Sequence, residues 1–258
     1  MSVRASPIVM GIVNVTPDSF HDGGQYGDGV RHAESLIDAG ADWIDVGGES
    51  TRPGALAVDI DTEWNRVRPV IEAFGKMLPV SIDTSKPEVA ARALKAGARI
   101  INDVTGLSHP QMAAVTADAE TTIVMHMRGT PKSMGTLTSY EDLLTDITTW
   151  LCERAQLARS ESVWIDPGIG FAKTAEQSLR LLRHIDRLVD TPFPVLIGAS
   201  RKSFIGKILE IDDTKDRLSG SLAAVACAWY KGAQAFRVHD VAETRQLLDL
   251  MYAVEGAA

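Results

Sequence analysis

The sequence is poor in cysteine and contains no long hydrophobic run. Only two of its 258 residues are cysteine, Cys152 and Cys227, and both fall in helix-like patterns. This low number excludes a disulfide framework and predicts buried thiols in a reducing compartment. No apolar run approaches the roughly 20 residues that a transmembrane helix needs, and the N-terminus lacks the pattern of a signal peptide. We therefore expect a cytoplasmic protein that does not bind membranes.

Positive charge is also scarce. Lysine and arginine number 26, aspartate and glutamate number 34, and the formal net charge is -8. A chain with this balance is not expected to bind nucleic acid or anionic membranes, because both attract basic surfaces. A local group of cations in such a chain instead predicts a pocket for a small anion. The histidines lack metal-ligand spacing, so we expect no zinc site.

Short apolar runs alternate with longer amphipathic stretches along the whole chain. Apolar residues make up 45% of the sequence, enough for a large core. The pattern of strand and helix, repeated eight times without a linker, is typical of a (β/α)8 TIM barrel. We predict a single α/β barrel domain over residues 1–258, and a doubly wound open sheet is the alternative. The apolar runs predict strands at residues 8–13, 43–46, 80–82, 99–101, 122–125, 163–165, 195–197 and 236–238.

The stretches between these strands have the composition and periodicity of helices. Ser85 and Glu88 have the spacing of a capping box, with Pro87 in the first turn of the third helix. The predicted helices lie near residues 28–39, 62–74, 86–96, 110–118, 140–159, 175–188, 203–209, 217–231 and 241–253.

Polar residues stand just past the predicted strands. In a barrel these strand ends face one rim, where active sites lie. Convergence on one site explains the pattern more simply than eight separate requirements for stability would. The residues are Asn14, Asp45, Asp83, Asn102, Asp103, His126, Asp166, Ser200, Arg201, Lys202, Arg237 and His239.

The segment after the seventh strand carries two adjacent cations and a hydroxyl group. The apolar run 194–197 stops at Gly198, and Arg201, Lys202 and Ser203 then precede a helix-like pattern. Free N–H groups at the start of a helix attract anions, and the two cationic side chains add full charges. The segment therefore predicts an anion site.

Three further residues favour the same site. Arg237 and His239 alternate along the last strand, so their side chains point one way. Together with Arg52 they enlarge the cationic group, and barrel enzymes commonly bind phosphate beside the last two strands. Scattered, solvated charges are the alternative interpretation.

Three strands end in an acceptor side chain, namely Asp83, Asn102 and Asp166. Any one of them could be a helix cap. Three at one rim are better explained as acceptors for a donor-rich heterocycle, because a carboxylate can accept two parallel N–H bonds from an N–C–N edge. Guanine and pterins present such an edge.

The loop after the first strand, residues 14–24, is long and ends in two glycines. It contains one aromatic residue, Phe20, and a carboxylate, Asp22. A capped turn before a helix is one interpretation. A mobile lid that brings Phe20 and Asp22 over a pocket is the one we favour.

Taken together, these segments closely resemble the dihydropteroate synthase family over nearly the whole chain. Singly the motifs are weak, but in this order and spacing they are specific. Histidine at position 21 departs from the family, which usually has serine there, and it puts the closed form of the first loop in doubt. The resemblance runs through residues 11–20, 45–54, 81–84, 101–103, 166–171, 200–203 and 237–240.

The resemblance implies an enzyme that joins p-aminobenzoate to 6-hydroxymethyl-7,8-dihydropterin diphosphate and requires magnesium. Its partners would be these small molecules and a second copy in a homodimer. Asp22, Lys202 and Arg52 would be catalytic. The pterin would lie against Asp83, Asn102, Met125, Asp166 and Lys202. The diphosphate would lie against Asn14, Thr51, Arg237 and His239, with Asn14 also on the magnesium. The p-aminobenzoate would lie against Phe20, Arg52, Pro53, Phe171 and Ser203.

Two other functions remain possible from the sequence. A methyltetrahydrofolate-type methyltransferase barrel would share the pterin-holding residues, but it would not need the cations at 201–202 and 237. A non-catalytic pterin-binding paralogue would be expected to have lost some rim residues, and none is missing.

We predict that Asp22→Asn lowers kcat but leaves the affinity for the pterin diphosphate almost unchanged. The carboxylate charge is needed most when the pterin methylene becomes positive, so kcat should fall about 10²- to 10³-fold, as on loss of one preorganised electrostatic group. Binding of the pterin diphosphate should change little, because other loops hold it. Steady-state kinetics, with His21→Ser in the same series, test this. A raised KM with normal kcat would exclude the electrostatic role.

Overall fold

The computed structural model describes residues 6–16, 27–51 and 54–257. Eight parallel β-strands alternate with helices. Because the strands are parallel, the chain returns from the C-terminal end of one strand to the N-terminal end of the next. The strands are β1 (Ile8–Asn14), β2 (Trp43–Gly47), β3 (Val80–Asp83), β4 (Ile100–Asp103), β5 (Thr121–Met125), β6 (Ser162–Asp166), β7 (Leu196–Ile197) and β8 (Ala235–Val238).

The strands follow the order β6-β5-β4-β3-β2-β1-β8-β7, and β1 therefore pairs with both β2 and β8. The gap between β6 and β7 is bridged by the parallel pair Ile165 and Val195. The amide of Ile165 donates to the carbonyl of Pro194 at 3.0 Å. The sheet is thus nearly closed, which confirms the predicted barrel and makes the open-sheet alternative wrong.

The helices lie where the sequence predicts them, with shorter bounds at several ends. The predicted helix 175–188 is broken into two segments. The helices are α1 (Gly27–Asp38), α2 (Ile60–Phe74), α3 (Pro87–Ala96), α4 (Met112–Val115), α5 (Leu143–Ala155), α6 (Ala175–Arg183), α7 (Asp186–Val189), α8 (Ser203–Leu209), α9 (Leu218–Tyr230) and α10 (Val241–Gly256).

The predicted capping box at Ser85 is wrong. Lys86 is the N-cap of α3 and makes no side-chain cap bond, while its amide donates to the Thr84 hydroxyl at 3.1 Å. A reciprocal capping box forms instead at the start of α6, between Thr174 and Gln177. Spacing alone did not identify the cap, because Lys86 occupies the position that the motif assigned to the first helical residue.

The apolar core has a large cluster between strands and helices, a second cluster inside the barrel and a small third one that includes Met125 and Ala172. Inside the barrel, Met10, Ile100, Ile123, Leu196 and Ala235 form a buried apolar cluster. Side chains two residues further along a strand lie on the same face. The interior is therefore apolar at the N-terminal end of the strands and becomes polar at the C-terminal end, where Asn102 and Arg237 follow Ile100 and Ala235.

Both cysteines are free, but neither is buried. Cys152 is half-buried and Cys227 is exposed on α9, so the prediction of buried thiols is wrong. Helical periodicity did not show which face of α9 turns outward. In the part of the chain that the structure describes, no helix has the length and apolar character needed to cross a membrane.

We predict that Gly75→Ala destabilises the fold. Gly75 ends α2 against the end of α3, and a Cβ there would lie 2.6 Å from the carbonyl oxygen of Gly97. Overpacking of this kind costs about 1–3 kcal/mol. Gly135→Ala is the control, because nothing lies within 4 Å of its Cβ. Urea unfolding of both variants measures the difference, and equal stabilities would contradict the close contact.

Candidate active site

A layer of charged and polar side chains fills the C-terminal mouth of the barrel. Arg237 of β8 donates through Nε to Asp45 Oδ2 at 2.5 Å and through its terminal nitrogen to Asp83 Oδ2 at 2.8 Å. Asn102 Nδ2 donates to the same Asp45 oxygen at 3.0 Å. The structure thus brings together the predicted residues Asp83, Asn102 and Arg237, and it adds Asp45.

Asp45 lies at the centre of this layer, although the sequence indicated only that it stands at the rim. Its side chain is fully buried, and its Oδ1 has no hydrogen-bond partner among the described residues. The signal that could have identified it is the alternation along β2, which puts Asp45 on the same face as Trp43 inside the barrel.

Burial raises the pKa of two carboxyl groups at the barrel mouth, Asp83 and Asp166. Burial and the neighbouring Asp45 charge raise the pKa of Asp83 to about 8, against the opposing effect of Arg237. Burial also raises the pKa of Asp166, which Lys202 and the amide of Gly168 act to lower. That amide donates to Asp166 Oδ1 at 2.8 Å. The site therefore has carboxyl groups that can accept or share protons with a bound donor-rich ligand.

The two adjacent cations of the loop after β7 diverge. Arg201 has φ 57°, in the left-handed region, and its guanidinium binds both carboxylate oxygens of Asp240, with Nε 3.0 Å from Oδ2. Lys202 points into the site, donates to the carbonyl of Ile169 and lies 4.5 Å from the ring centroid of Phe171. The predicted anion site therefore retains Lys202 but not Arg201, because Asp240 holds the Arg201 charge.

Lys202 itself is a perturbed group. Burial lowers its pKa to about 8, while the charge of Asp166 acts to raise it. Ser203 follows as the first residue of α8 and is exposed. Because α8 has only seven residues, its dipole adds less to anion binding than the sequence suggested.

His239 is held beside the loop after β7. Its Nδ1 lies 3.0 Å from the Ser200 hydroxyl, and its amide donates to the same hydroxyl at 3.2 Å. Arg237, two residues earlier, extends into the charged layer between Asp45 and Asp83. These two of the four predicted diphosphate residues are thus both at the rim, and Arg237 contacts the predicted pterin residue Asp83.

The loops after β5 and β6 meet through a buried lysine. Lys173 Nζ lies 3.0 Å from His126 Nδ1 and donates to the carbonyl of Phe171 at 2.9 Å. Burial, reinforced by Lys173 and Arg128, lowers the pKa of His126 to about 2, and burial lowers that of Lys173 well below its usual value. Met125 lies buried just before His126. Sequence reasoning left His126 without a role and did not single out Lys173.

The loop after β2 is also tied by a partly buried group of three charges, in which only Glu63 is fully buried. Lys86 Nζ donates to Glu49 Oε2 at 2.6 Å and to Glu63, which is 1% exposed. Glu49 also accepts the amide of Val58 at 2.8 Å. These contacts hold the segment that carries Thr51, which is half-buried. No motif indicated them, because the three charges are distant in the sequence.

Asn14 ends β1, and Gly47 leaves space beside it. A Cβ at Gly47 would lie 3.8 Å from Asn14 Oδ1 and 3.6 Å from Asp83 Oδ2. Among the described residues, no group of three or more His, Cys, Asp or Glu side chains could hold a metal ion. The predicted site residues Phe20, Asp22, Arg52 and Pro53, and His21 beside them, lie outside the described residues.

Comparison with known proteins agrees with this geometry. The pterin-binding enzyme family matches residues 10–239, so the chain belongs to that family. The dihydropteroate synthase of Synechocystis sp. is 45% identical over 251 residues, which cover 93% of this chain and 87% of that protein.

Solved structures of dihydropteroate synthase are similar throughout. The Xanthomonas albilineans enzyme with 4-aminobenzoic acid has a TM-score of 0.91 and 42% identity, covering 98% of this chain and 94% of that one. The same enzyme in complex with 7,8-dihydropteroate has a TM-score of 0.87 and 39% identity, covering 98% and 95%. The relatives within the family are thus dihydropteroate synthases, as the sequence motifs predicted.

We predict that His126 makes stability sensitive to acid. The unfolded chain protonates His126 near its usual pKa of 6.5, whereas the folded chain does so only near 2. The unfolded state therefore binds more protons between these values, and stability falls as pH falls through 6.5 by up to about 1.4 kcal/mol per unit.

His126→Asn provides the comparison, because it removes the titrating ring and keeps an acceptor for Lys173. Between pH 7 and pH 5, the free energy of unfolding should fall more for the parent than for the variant, as measured by urea titrations at both pH values. Parallel curves for the two proteins would show that His126 is not held neutral.

Proposed function

We propose that the protein is a transferase that joins p-aminobenzoate to 6-hydroxymethyl-7,8-dihydropterin diphosphate, giving 7,8-dihydropteroate and diphosphate. The observation that carries the proposal is the charged layer at the barrel mouth, where Arg237 binds Asp45 and Asp83 beside Asn102. The Xanthomonas albilineans relative binds 4-aminobenzoic acid and 7,8-dihydropteroate. Together they support the reaction for this chain, which we expect to take place in the cytoplasm.

The pterin lies across the charged layer in this proposal. Asp166, with its carboxylate already oriented by the Gly168 amide, accepts from the amino-pyrimidine edge. Asn102 and Asp83 contact the rest of the ring, and Lys202 covers it from the rim. Met125 adds a buried apolar contact at the end of β5. Removing water from these groups strengthens each hydrogen bond, because the local dielectric constant falls.

The diphosphate extends from the pterin toward Asn14, Thr51, Arg237 and His239. A magnesium ion would be held by Asn14 and by the substrate's own phosphate oxygens. This donor set fits Mg²⁺, which commonly keeps water and substrate ligands and takes only one or two from the protein. When bound, the ion would neutralise charge that develops on the leaving diphosphate.

The p-aminobenzoate lies beside the contact between Lys202 and Phe171, near Ser203, and the sequence assigns Phe20, Arg52 and Pro53 to the same pocket. The Lys202 ammonium, 4.5 Å from the Phe171 ring centroid, separates this pocket from the pterin. Arg52 would pair with the substrate carboxylate, because a guanidinium matches its geometry. A substrate with an apolar ring and one anionic end fits these residues.

The reaction needs no protein nucleophile. The C–O bond to diphosphate breaks and its electron pair leaves with the diphosphate, while Arg237 and His239 stabilise the growing negative charge. The remaining pterin methylene is a delocalised cation, which the Asp22 carboxylate stabilises. The neutral aniline nitrogen then forms the new C–N bond and releases a proton. Lys202 and Arg52 hold the two substrates in line for this step.

We further propose a homodimer formed through the outer helices. Tyr230 on α9 and Leu250 and Val254 on α10 are large apolar side chains that are each about two-thirds exposed or more, at 72%, 67% and 66%. A second copy of the chain would cover such side chains. Light scattering behind size exclusion measures the mass directly.

The central test is turnover with dihydropterin diphosphate, p-aminobenzoate and magnesium, followed by release of diphosphate and formation of dihydropteroate. We expect turnover by the parent and a dependence on added magnesium. Binding of the pterin without turnover would instead identify a non-catalytic paralogue, and methyl transfer from a folate would identify the methyltransferase alternative.

Asp166→Ala should weaken pterin binding by about 2–5 kcal/mol, because it leaves buried ligand donors unpaired. Calorimetry with the pterin diphosphate measures this loss. Asp118→Ala is the control, since Asp118 is exposed away from the barrel mouth. Equal affinities of the two variants would show that Asp166 does not hold the pterin.

A further inference from the structure

The loop after β6 follows an unusual backbone path. Gly168 and Gly170 have φ 65° and 82°, and Ala172 has φ 49° although it carries a Cβ. A Cβ at Gly168 would collide with the carbonyl oxygen of His126, so this part of the loop lies directly against the loop after β5. A left-handed residue other than glycine is strained and persists only when its surroundings hold it.

Side chains hold three carbonyl groups of this loop, two from other segments and one, Lys173, from the end of the loop itself. Lys202 donates to Ile169, Lys173 donates to Phe171 at 2.9 Å, and the Tyr140 hydroxyl donates to Ala172 at 2.9 Å. Carbonyls of a loop normally face water, so three side-chain donors in four residues define its path closely.

Lys173 and Tyr140 are themselves fixed by the loop after β5. Lys173 is 8% exposed and its Nζ lies 3.0 Å from His126 Nδ1. The guanidinium of Arg128 lies 3.8 Å from the centroid of the Tyr140 ring. Tyr140 belongs to the loop after β5 and Lys173 is bound to it through His126, so both donors tie the β6 loop to its neighbour.

The loop held in this way presents Phe171 to Lys202. The ring centroid is 4.5 Å from Lys202 Nζ. Gly170 also lies close to this lysine, because a Cβ at position 170 would be 3.2 Å from Lys202 Cδ. The Phe171 ring packs against a buried apolar cluster that includes Met125 and Ala172, and its direction is set by its backbone. Lys173 binds the carbonyl of Phe171, and Tyr140 binds that of the next residue, Ala172.

We propose that Lys173 and Tyr140 are positioning residues that hold the Phe171 ring against Lys202 and so shape the p-aminobenzoate pocket; this rests on the proposed function. They touch neither substrate. Loss of either donor releases the strain at Ala172 and lets the ring leave its place, while the pterin residues Asp83 and Asn102 on β3 and β4 keep theirs. Asp166 at the end of β6 is held by the Gly168 amide, ahead of the released carbonyls, and also stays in place. The effect is therefore confined to one of the two substrates.

Steady-state kinetics of Tyr140→Phe and Lys173→Met test the inference. Each should raise KM for p-aminobenzoate about tenfold, on the scale of one lost hydrogen bond, with KM for the pterin diphosphate unchanged within a factor of about two. Tyr252→Phe and Lys95→Met are the controls, a partly buried tyrosine on α10 and an exposed lysine on α3. Both should behave as the parent.

A purely structural role predicts something else. It would lower the active fraction, and hence kcat, with both KM values unchanged. A lower kcat with unchanged KM values would overturn the proposal. So would an equal rise in both KM values, or parental kinetics in Tyr140→Phe. If Lys173→Met does not fold, Tyr140→Phe decides the question, because it removes a single oxygen atom.

A crystal structure of Tyr140→Phe provides a readout that does not depend on activity. We expect the Phe171 ring to be displaced from Lys202, and an unmoved ring would overturn the inference even if the protein catalysed a different reaction. Failure of the proposed function would appear separately, as absence of dihydropteroate formation by the parent.

Discussion

The arginine that binds two aspartates inside the barrel is the interaction on which the rest of the site depends. Arg237 is 192 residues from Asp45 and 154 residues from Asp83 along the chain, yet its guanidinium contacts both carboxylates. Two carboxylates buried together without a cation would repel each other and take up protons. With Arg237 between them, the mouth of the barrel can be both buried and charged, which a site for a polar heterocycle requires.

The loops around this layer are held by two lysines that are not part of it, the half-buried Lys86 and the buried Lys173. Lys86 ties the loop after β2 through Glu49 and Glu63, and Lys173 ties the loop after β6 through His126 and the carbonyl of Phe171. Lys86 reaches the loop after β2 from the start of α3, whereas Lys173 lies within the loop after β6 and ties it to His126 in the loop after β5. Polar groups buried in this way are costly unless they are paired, so each contact favours one loop conformation over others.

The sequence predicted the barrel closely because its signals are local. Each strand is a short apolar run, and β1, β3 and β6 end at the polar residues Asn14, Asp83 and Asp166, which the structure places at the last strand position. The errors are also local in kind. The expected cap at Ser85 failed because the true N-cap is Lys86, and the exposure of Cys227 could not be read from a helix that is apolar almost all round.

The sequence by itself determined the order of strands and helices, the position of most site residues at one rim, and the family. Only the tertiary structure decided which of two adjacent cations enters the site. Arg201 and Lys202 are neighbours in the chain, but the left-handed backbone at Arg201 directs its side chain to Asp240 and leaves Lys202 facing Phe171. Likewise, Asp45 and Lys173 gained their places only through partners distant in sequence. Periodicity reports the face of an element, whereas pairing between charges depends on distances that only the closed barrel sets.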